Sequence, residues 1–423
     1  MLFLFFASAS AATLEEAWAA AEGGGTELRL LHEQTVQAQA QKTQAWALVS
    51  PKVVAGATYT INEYEIALDF ADSIPEEFQS FFEGTEPIVV NKKQYLAWNA
   101  SVVQPLFSGQ ALPLMQSVTQ MVKASRSQEE AHRAEVRAGI AEAYYGVVLA
   151  REGTRLAENG LELAKKHRDL ATQQVDVGLA PPTAKLQAEI AVARAERELA
   201  TASQGRVKAE QALARLTGWA PDTAVSLPER PQLPYADLDG AERRAQDHRP
   251  DIAAAEHQER AATYARTAAA LAWLPTVDGR FTWSYNENSG FSTDYDMWQV
   301  VFSANWTLWD GGARIAQQQQ TASQKRMASL SLQRTQDSTT EQVRGLWESY
   351  TTAAVALDAV ERELTLAKEN VRLAEVGFSA GSVSFLEVED ARVGLRAAEM
   401  GSLQQRMNHD LAALRLLAAT GDL

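Results

Sequence analysis

The sequence predicts an α+β fold, mainly α, assembled from a duplicated helix–strand–strand–helix repeat. Three features carry that expectation. Ile140–Gly218 aligns without a gap on Val343–Gly421, so that Leu161, Leu163, Ala164, Lys165, Leu170 and Ala171 fall on Leu364, Leu366, Ala367, Lys368, Leu373 and Ala374. Gly178 meets Gly381 and Thr217-Gly218 meets Thr420-Gly421 in the same alignment. In each half of the chain a pair of segments alternates apolar and polar residues with the period of two that marks a strand. After each pair comes a stretch nearly free of proline, long enough for a helix of about 100 Å at 1.5 Å per residue. Such a helix needs partners along its length to bury its apolar stripe. A plan repeated in this way is a building block that needs neighbouring copies, not a self-sufficient catalytic domain.

The elements follow in order. Met1-Leu2-Phe3-Leu4-Phe5-Phe6 and the small residues Ala7 to Ala12 read as a signal peptide over residues 1–12, cut after Ala9, Ala11 or Ala12, although no basic residue precedes the apolar run. Thr13-Leu14-Glu15-Glu16 is a capping box that opens the first helix, and Gly23-Gly24-Gly25 breaks it. A second helix is expected from Thr26 to about Ser50, and its counterpart runs from Pro250, a first-turn proline, to Leu274. Residues 13–218 form the first repeat and 250–423 the second. Between them, 219–249 holds Pro221, Pro228, Pro231 and Pro234 and reads as a connector of irregular structure.

Strands are expected at about 52–63, 94–107, 276–287 and 296–309. In the third, Val277, Gly279, Phe281, Trp283 and Tyr285 alternate with Thr276, Asp278, Arg280, Thr282, Ser284 and Asn286. In the fourth, Trp298, Val300, Phe302, Ala304, Trp306 and Leu308 lie opposite Gln299, Val301, Ser303, Asn305 and Thr307. These segments reach the roughly 9–11 residues that a tilted strand needs to cross a bilayer. The same alternation also fits a half-buried sheet on a soluble core. Five of the ten tryptophans, Trp98, Trp283, Trp298, Trp306 and Trp309, sit on these strands. Tryptophan gathers at bilayer interfaces, which favours lipid.

The long helices are expected from Ala111 to Val177 and from Ala313 to Ala380, each opened by a glycine turn and closed by a hairpin tip near Gly178 and Gly381. Shorter helices return to Gly218 and Gly421. Gly139, Gly146, Gly153 and Gly160 recur every seventh residue, a stripe that would permit close backbone approach in a coiled coil. The second copy has Gln342, Ser349, Ala356 and Glu363 there, so drift is the alternative to packing.

Composition bounds the function. With 46% hydrophobic and 22% charged residues the chain can bury a core. Asp and Glu number 54 against 39 Lys and Arg, a net charge of -15, which argues against nucleic acid as a partner. The absence of cysteine removes disulfides, thiolate metal sites and lipidation on an N-terminal cysteine. No HExxH, P-loop, G-x-S-x-G or paired-histidine motif occurs, and the six scattered histidines read as surface residues. The expectation is no catalytic residue, no metal site and no cofactor. No long apolar run supports a transmembrane helix, so a membrane crossing would have to use strands.

Taken together, the Thr13-Leu14-Glu15-Glu16-Ala17 opening, the Arg249-Pro250-Asp251-Ile252 helix start, the strand ends Pro105-Leu106-Phe107-Ser108-Gly109 and Leu308-Trp309-Asp310-Gly311-Gly312, and the tips Val177-Gly178-Leu179 and Ala380-Gly381-Ser382-Val383 resemble the TolC-type outer-membrane efflux proteins. The resemblance spans nearly the whole chain after the leader. It implies a homotrimer in which four strands per chain close one 12-stranded transmembrane β-barrel in the outer membrane, while antiparallel coiled-coil helices continue it as a periplasmic tunnel. Physics agrees: four strands cannot close a barrel and an open edge is not tolerated in lipid. The resemblance further implies a periplasmic adaptor protein bound at the tips, Gly178, Leu179, Ala180, Gly381, Ser382 and Val383, and an inner-membrane pump of RND or ABC type as the energy source. Asn99, Ser101, Gln299, Ser303 and Asn305 would line the barrel lumen. Glu387 and Asp390 would ring the entrance with carboxylates, although acids at the start of a helix are also favoured by its dipole alone. The chain departs from the best-known members at Ala184, Phe378 and Val383, where those members keep an acid, a tyrosine and an arginine that hold the closed state. About 22 extra residues around Glu65–Asn91 would lengthen the first external loop. Two functions therefore compete: a passive exit duct for efflux or type I secretion, and a soluble periplasmic coiled-coil scaffold. The cargo, whether drug, metal or protein, is not written in the chain.

Overall fold

A computed structural model describes residues 11–24, 26–68, 87–178, 181–288, 294–380, 382–383 and 385–423. Residues 1–10 of the expected signal peptide, Leu179, Ala180 and Gly381, most of the lengthened first loop and the side chain of Phe378 lie outside that description.

The element order realises the duplication. The first half runs α1 (Leu14–Gly24), α2 (Thr26–Trp46), β1 (Lys52–Ile61), β2 (Ile66–Leu68), β3 (Ile88–Asn91), β4 (Gln94–Phe107), α3 (Ala111–Asp176) and α4 (Pro182–Thr217). The second runs α5 (Leu238–His248), α6 (Pro250–Leu271), β5 (Thr276–Asn286), β6 (Asp296–Asn305), α7 (Ala313–Ser379) and α8 (Phe385–Thr420). The long helices α3 and α7 have 66 and 67 residues, and the returning helices α4 and α8 have 36 each. The capping box forms as expected: Thr13 N donates to Glu16 Oε2 at 2.9 Å and Glu16 N to Thr13 Oγ1 at 3.3 Å.

The chain divides into two compact units, each drawing on both halves of the sequence. The first holds the chain up to Thr35 with Ser125–Ala255 and Leu332–Leu423. Its core joins Leu14, Ala17 and Ala21 of α1 to Ile140, Ala141, Tyr144, Tyr145 and Val147 of α3, Leu213 of α4, and Met407, Leu414 and Leu417 of α8. A second cluster packs Ala241 and Ala245 of α5 against Val343 of α7 and Leu416 and Ala419 of α8. Burying a side chain such as Ile140 or Leu416 stabilises the unit by about 1.5–3 kcal/mol. The connector is more ordered than its prolines suggest: α5 starts at a cap in which Gly240 N donates to Asp237 Oδ1 at 2.7 Å. The residues entering α1 are anchored to it. Ala12 bridges Val225 in parallel, and the buried Tyr144 Oη donates to Ala12 O at 2.6 Å while accepting from Ser226 N at 3.0 Å. Burial pushes the Tyr144 and Tyr145 phenols above their ordinary range, and Asp410, fully buried beside Tyr145, adds to the second shift. Within the chain the glycine stripe of α3 does not mark close backbone packing. A Cβ would meet nothing at Gly139, Gly146 or Gly160, and at Gly153 only the end of Met400.

The second unit comprises Val36–Ala124 and Glu256–Ser331 and contains the sheet. Its strands lie in the order β1-β4-β5-β6, all antiparallel, and β2 and β3 form a separate small ladder. Of the four strands in the larger sheet, β1, β4 and β5 end at Ile61, Phe107 and Asn286, within two residues of expectation. The fourth stops at Asn305 instead of Trp309, because Asn305 pairs with Thr276, the first residue of β5, and Pro275 leaves no strand beyond it. Trp306 and Trp309 therefore follow the strand instead of lying on it.

Candidate functional site

The sheet register sorts side chains onto two chemically distinct faces. Asn99 is opposite Gly56 and Ser284, Ser101 opposite Val54 and Thr282, and Thr282 opposite Gln299. Asp278 faces Ser303 and Thr276 faces Asn305. Since side chains alternate along a strand, Asn99, Ser101, Gln299, Ser303 and Asn305 share one polar face. The other face carries Val53, Ala55, Tyr59, Ile61, Trp98, Val102, Phe281, Trp283, Trp298, Val300 and Phe302. Trp98 packs edge-on against Trp283 at 4.8 Å between ring centroids. Among the described residues nothing covers this apolar face: Val53 and Trp298 are 70% exposed and Phe302 is 74% exposed. A continuous uncovered apolar face of this kind marks a surface that meets lipid or protein. Soluble sheets bury that face and wet the polar one.

Just past β6 the chain is fastened by aromatic and ionic contacts. Trp306 Nε1 donates to Trp273 O at 2.9 Å, and the Arg314 guanidinium stacks 4.1 Å above the Trp273 ring. Arg314 also pairs with Asp310 at 2.8 Å, and Asp310 caps α7 by accepting from Gly312 N and Arg314 N. Trp309 is exposed, as are Trp46 and Trp273. The last two were not singled out from the sequence because they stand at helix ends, where no alternation marks them.

The hairpin tips are built differently. At the first, Gly178 adopts φ +76, a left-handed conformation that glycine tolerates, and Pro181 and Pro182 start α4. At the second, Ser382 N and Val383 N both donate to Gly377 O, at 2.9 and 3.3 Å. The turn folds back so closely that a Cβ on Gly377 would lie 2.5 Å from Val383 Cγ2. Glu387 and Asp390 are exposed on the opening turns of α8. Their neighbour Glu389, absent from the sequence reading, is the more deeply engaged acid. Its Oε1 lies 3.1 Å from His167 Nε2 of α3 and 3.3 Å from Arg392, which reaches Glu375 of α7 at 2.7 Å. His167 is only 14% exposed, so its assignment to the surface is corrected: α8 covers it. Burial lowers its pKa, Arg392 and Arg396 act in the same direction, and Glu389 opposes them without prevailing. The ring is therefore neutral near pH 7. Among the described residues no cluster of His, Asp and Glu has the arrangement of a metal site.

The sequence matches the family model described as "Outer membrane efflux protein" over residues 26–219 and 242–422. No curated protein matches it. Among solved structures, the CmeC outer membrane channel of Campylobacter jejuni superposes with a TM-score of 0.75 at 15% identity, covering 97% of this chain and 85% of that one. The MtrE outer membrane channel of Neisseria gonorrhoeae, in its open state, gives 0.74 at 19% identity over 96% of this chain and 88% of the other. The outer membrane protein VceC of Vibrio cholerae gives 0.72 at 20% identity, covering 96% of both chains. At such identities the superpositions speak for the fold, while the family match spans most of the sequence. The uncovered apolar sheet face, the two long helices and this match agree: the chain belongs to the outer membrane efflux protein family, channels of the outer membrane with a periplasmic helical tunnel.

Proposed function

We propose that three copies of the chain form one passive exit duct, four strands from each closing a 12-stranded barrel whose polar face is the lumen. The single observation that supports this best is the sheet itself. It has one polar and one apolar face, and β1 and β6 are its edges within the chain. An edge left open in lipid would strand unpaired backbone groups at several kcal/mol each, so pairing β6 of one copy with β1 of the next removes the cost. In this reading Asn99, Ser101, Gln299, Ser303 and Asn305 wet the lumen, while Trp98, Trp283, Trp298, Trp306 and Trp309 meet lipid and its interfaces. The duct has no catalytic role. Family membership already favours the duct over a soluble scaffold.

At the periplasmic end, the tips at Gly178–Ala180 and Gly381–Val383 receive a periplasmic adaptor, which couples the duct to an inner-membrane pump of RND or ABC type. Glu387 and Asp390 lie three residues apart, on one side of α8, and three copies would present six carboxylates at the entrance. The chain lacks cysteine, so a clean test is available. Ala57→Cys on β1 is combined with cysteines scanned along β6 and oxidised in outer membranes. Covalent trimers at one β6 register are expected; cross-links absent at every register would sink the ring. Glu387→Gln/Asp390→Asn should weaken cation preference and block by divalent ions in single-channel recordings, and an unchanged preference would remove these residues from the gate.

A further inference from the structure

The polar face of the sheet gathers its charges in one place. Along the described strands β1, β4, β5 and β6 that face presents Lys52, Asp278 and Arg280 as its charged residues, and the rest of it is neutral. Lys52 is opposite Val103, Val103 opposite Arg280, and Arg280 opposite Val301, so both cations lie on one row across the sheet. With strands about 4.8 Å apart and one strand between them, the two stand roughly 10 Å apart. A polyvalent anion midway between them lies about 5 Å from each row position, inside the Debye length of about 8 Å at physiological salt, so it feels both charges. Both side chains are exposed, and among the described residues no ion pair engages Lys52, Arg280 or Asp278. Asp278, two residues along β5 on the same face, offsets one cation and leaves a net positive charge. This stands against a chain whose overall charge is -15.

A lysine at a strand end commonly reaches for lipid phosphates. Here that role is excluded by the register, which puts Lys52 on the polar face, while its neighbour Val53 points to the apolar one. We propose that the Lys52–Arg280 row is an anion-binding station inside the barrel. It holds phosphate, carboxylate or sulfonate groups of passing molecules and gives this end of the duct a preference for anionic cargo. The inference rests on the polar face being the lumen of a closed ring. Low-dielectric walls would then focus the field of the repeated cations along the axis, as charged linings do in other pores.

The test uses the full chain reconstituted in planar lipid bilayers, with inorganic tripolyphosphate added on the barrel side under a voltage that draws anions inward. Wild-type pores should show voltage-dependent block. Lys52→Gln/Arg280→Gln should raise the half-blocking concentration at least about tenfold. Asp278→Asn should lower it, and the charge-preserving Lys52→Arg/Arg280→Lys should keep wild-type block. Pores that tripolyphosphate leaves untouched, or a block unchanged in the glutamine variant, overturn the station and leave the duct standing. Wild-type protein that forms no pores overturns the duct and the station together.

Discussion

Gly377 and His167 show how much of the tip region depends on single residues. Alanine at Gly377 collides with Val383, and overpacking of this kind costs about 1–3 kcal/mol. Gly377→Ala should therefore speed amide exchange at Ser382 and Val383. Adding Val383→Ala should restore the wild-type rate, and failure of that rescue would mean the turn is not held by this contact. His167 brings a pH dependence whose sign follows from its lowered pKa. The unfolded chain takes up this proton near pH 6.5, whereas the folded chain takes it up only at lower pH. The contribution of this group to stability is thus constant well above about pH 6.5 and falls as pH drops through that value. His257 is shifted in the same direction by burial, Arg260 and Lys123. Thermal melts in detergent at pH 7.5 and 5.5 should show a loss on acidification that shrinks in His167→Gln and shrinks further with His257→Gln. Neither residue was legible from the sequence. A lone histidine has no periodic signal, its partner Glu389 is remote along the chain, and the close approach at Gly377 is made by a turn that closes only in three dimensions.

At the scale of elements, the strands and long helices were readable because their signals are local: a period of two, an absence of proline, a glycine at each turn. The end of β6 was not, since a strand stops where its partner stops, and Pro275 decides that for β5. The helix α5 hid among prolines although Asp237 was a usable cap signal. The segment entering α1 makes a separate prediction. Ala12 N donates to Ala224 O at 2.8 Å and Ser226 N to Ala12 O at 3.1 Å, so a processing cut after Ala12 would delete the bridge. Intact mass of the exported protein should place its first residue at or before Ala12, and a chain starting at Thr13 would refute this. Tyr144→Phe, which removes the hydroxyl held between Ala12 and Ser226, should lower stability by about 1 kcal/mol. Denaturant midpoints at constant slope would register that loss.

For the whole molecule, what was legible was the duplication. What was not is the distribution of charge: Lys52 and Arg280 are far apart in sequence, and only the strand register brings them to one row. The sheet edges carry a consequence beyond transport. In the proposed ring, a protomer whose β1 and β6 edges await neighbours completes its membrane fold only in company, so its stability is inseparable from the supply of sound copies. One copy with a damaged edge would then disable the two intact chains beside it. A cell carrying a faulty allele next to a good one should then hold fewer working ducts than the good gene alone supplies, so the defect is inherited as a dominant trait.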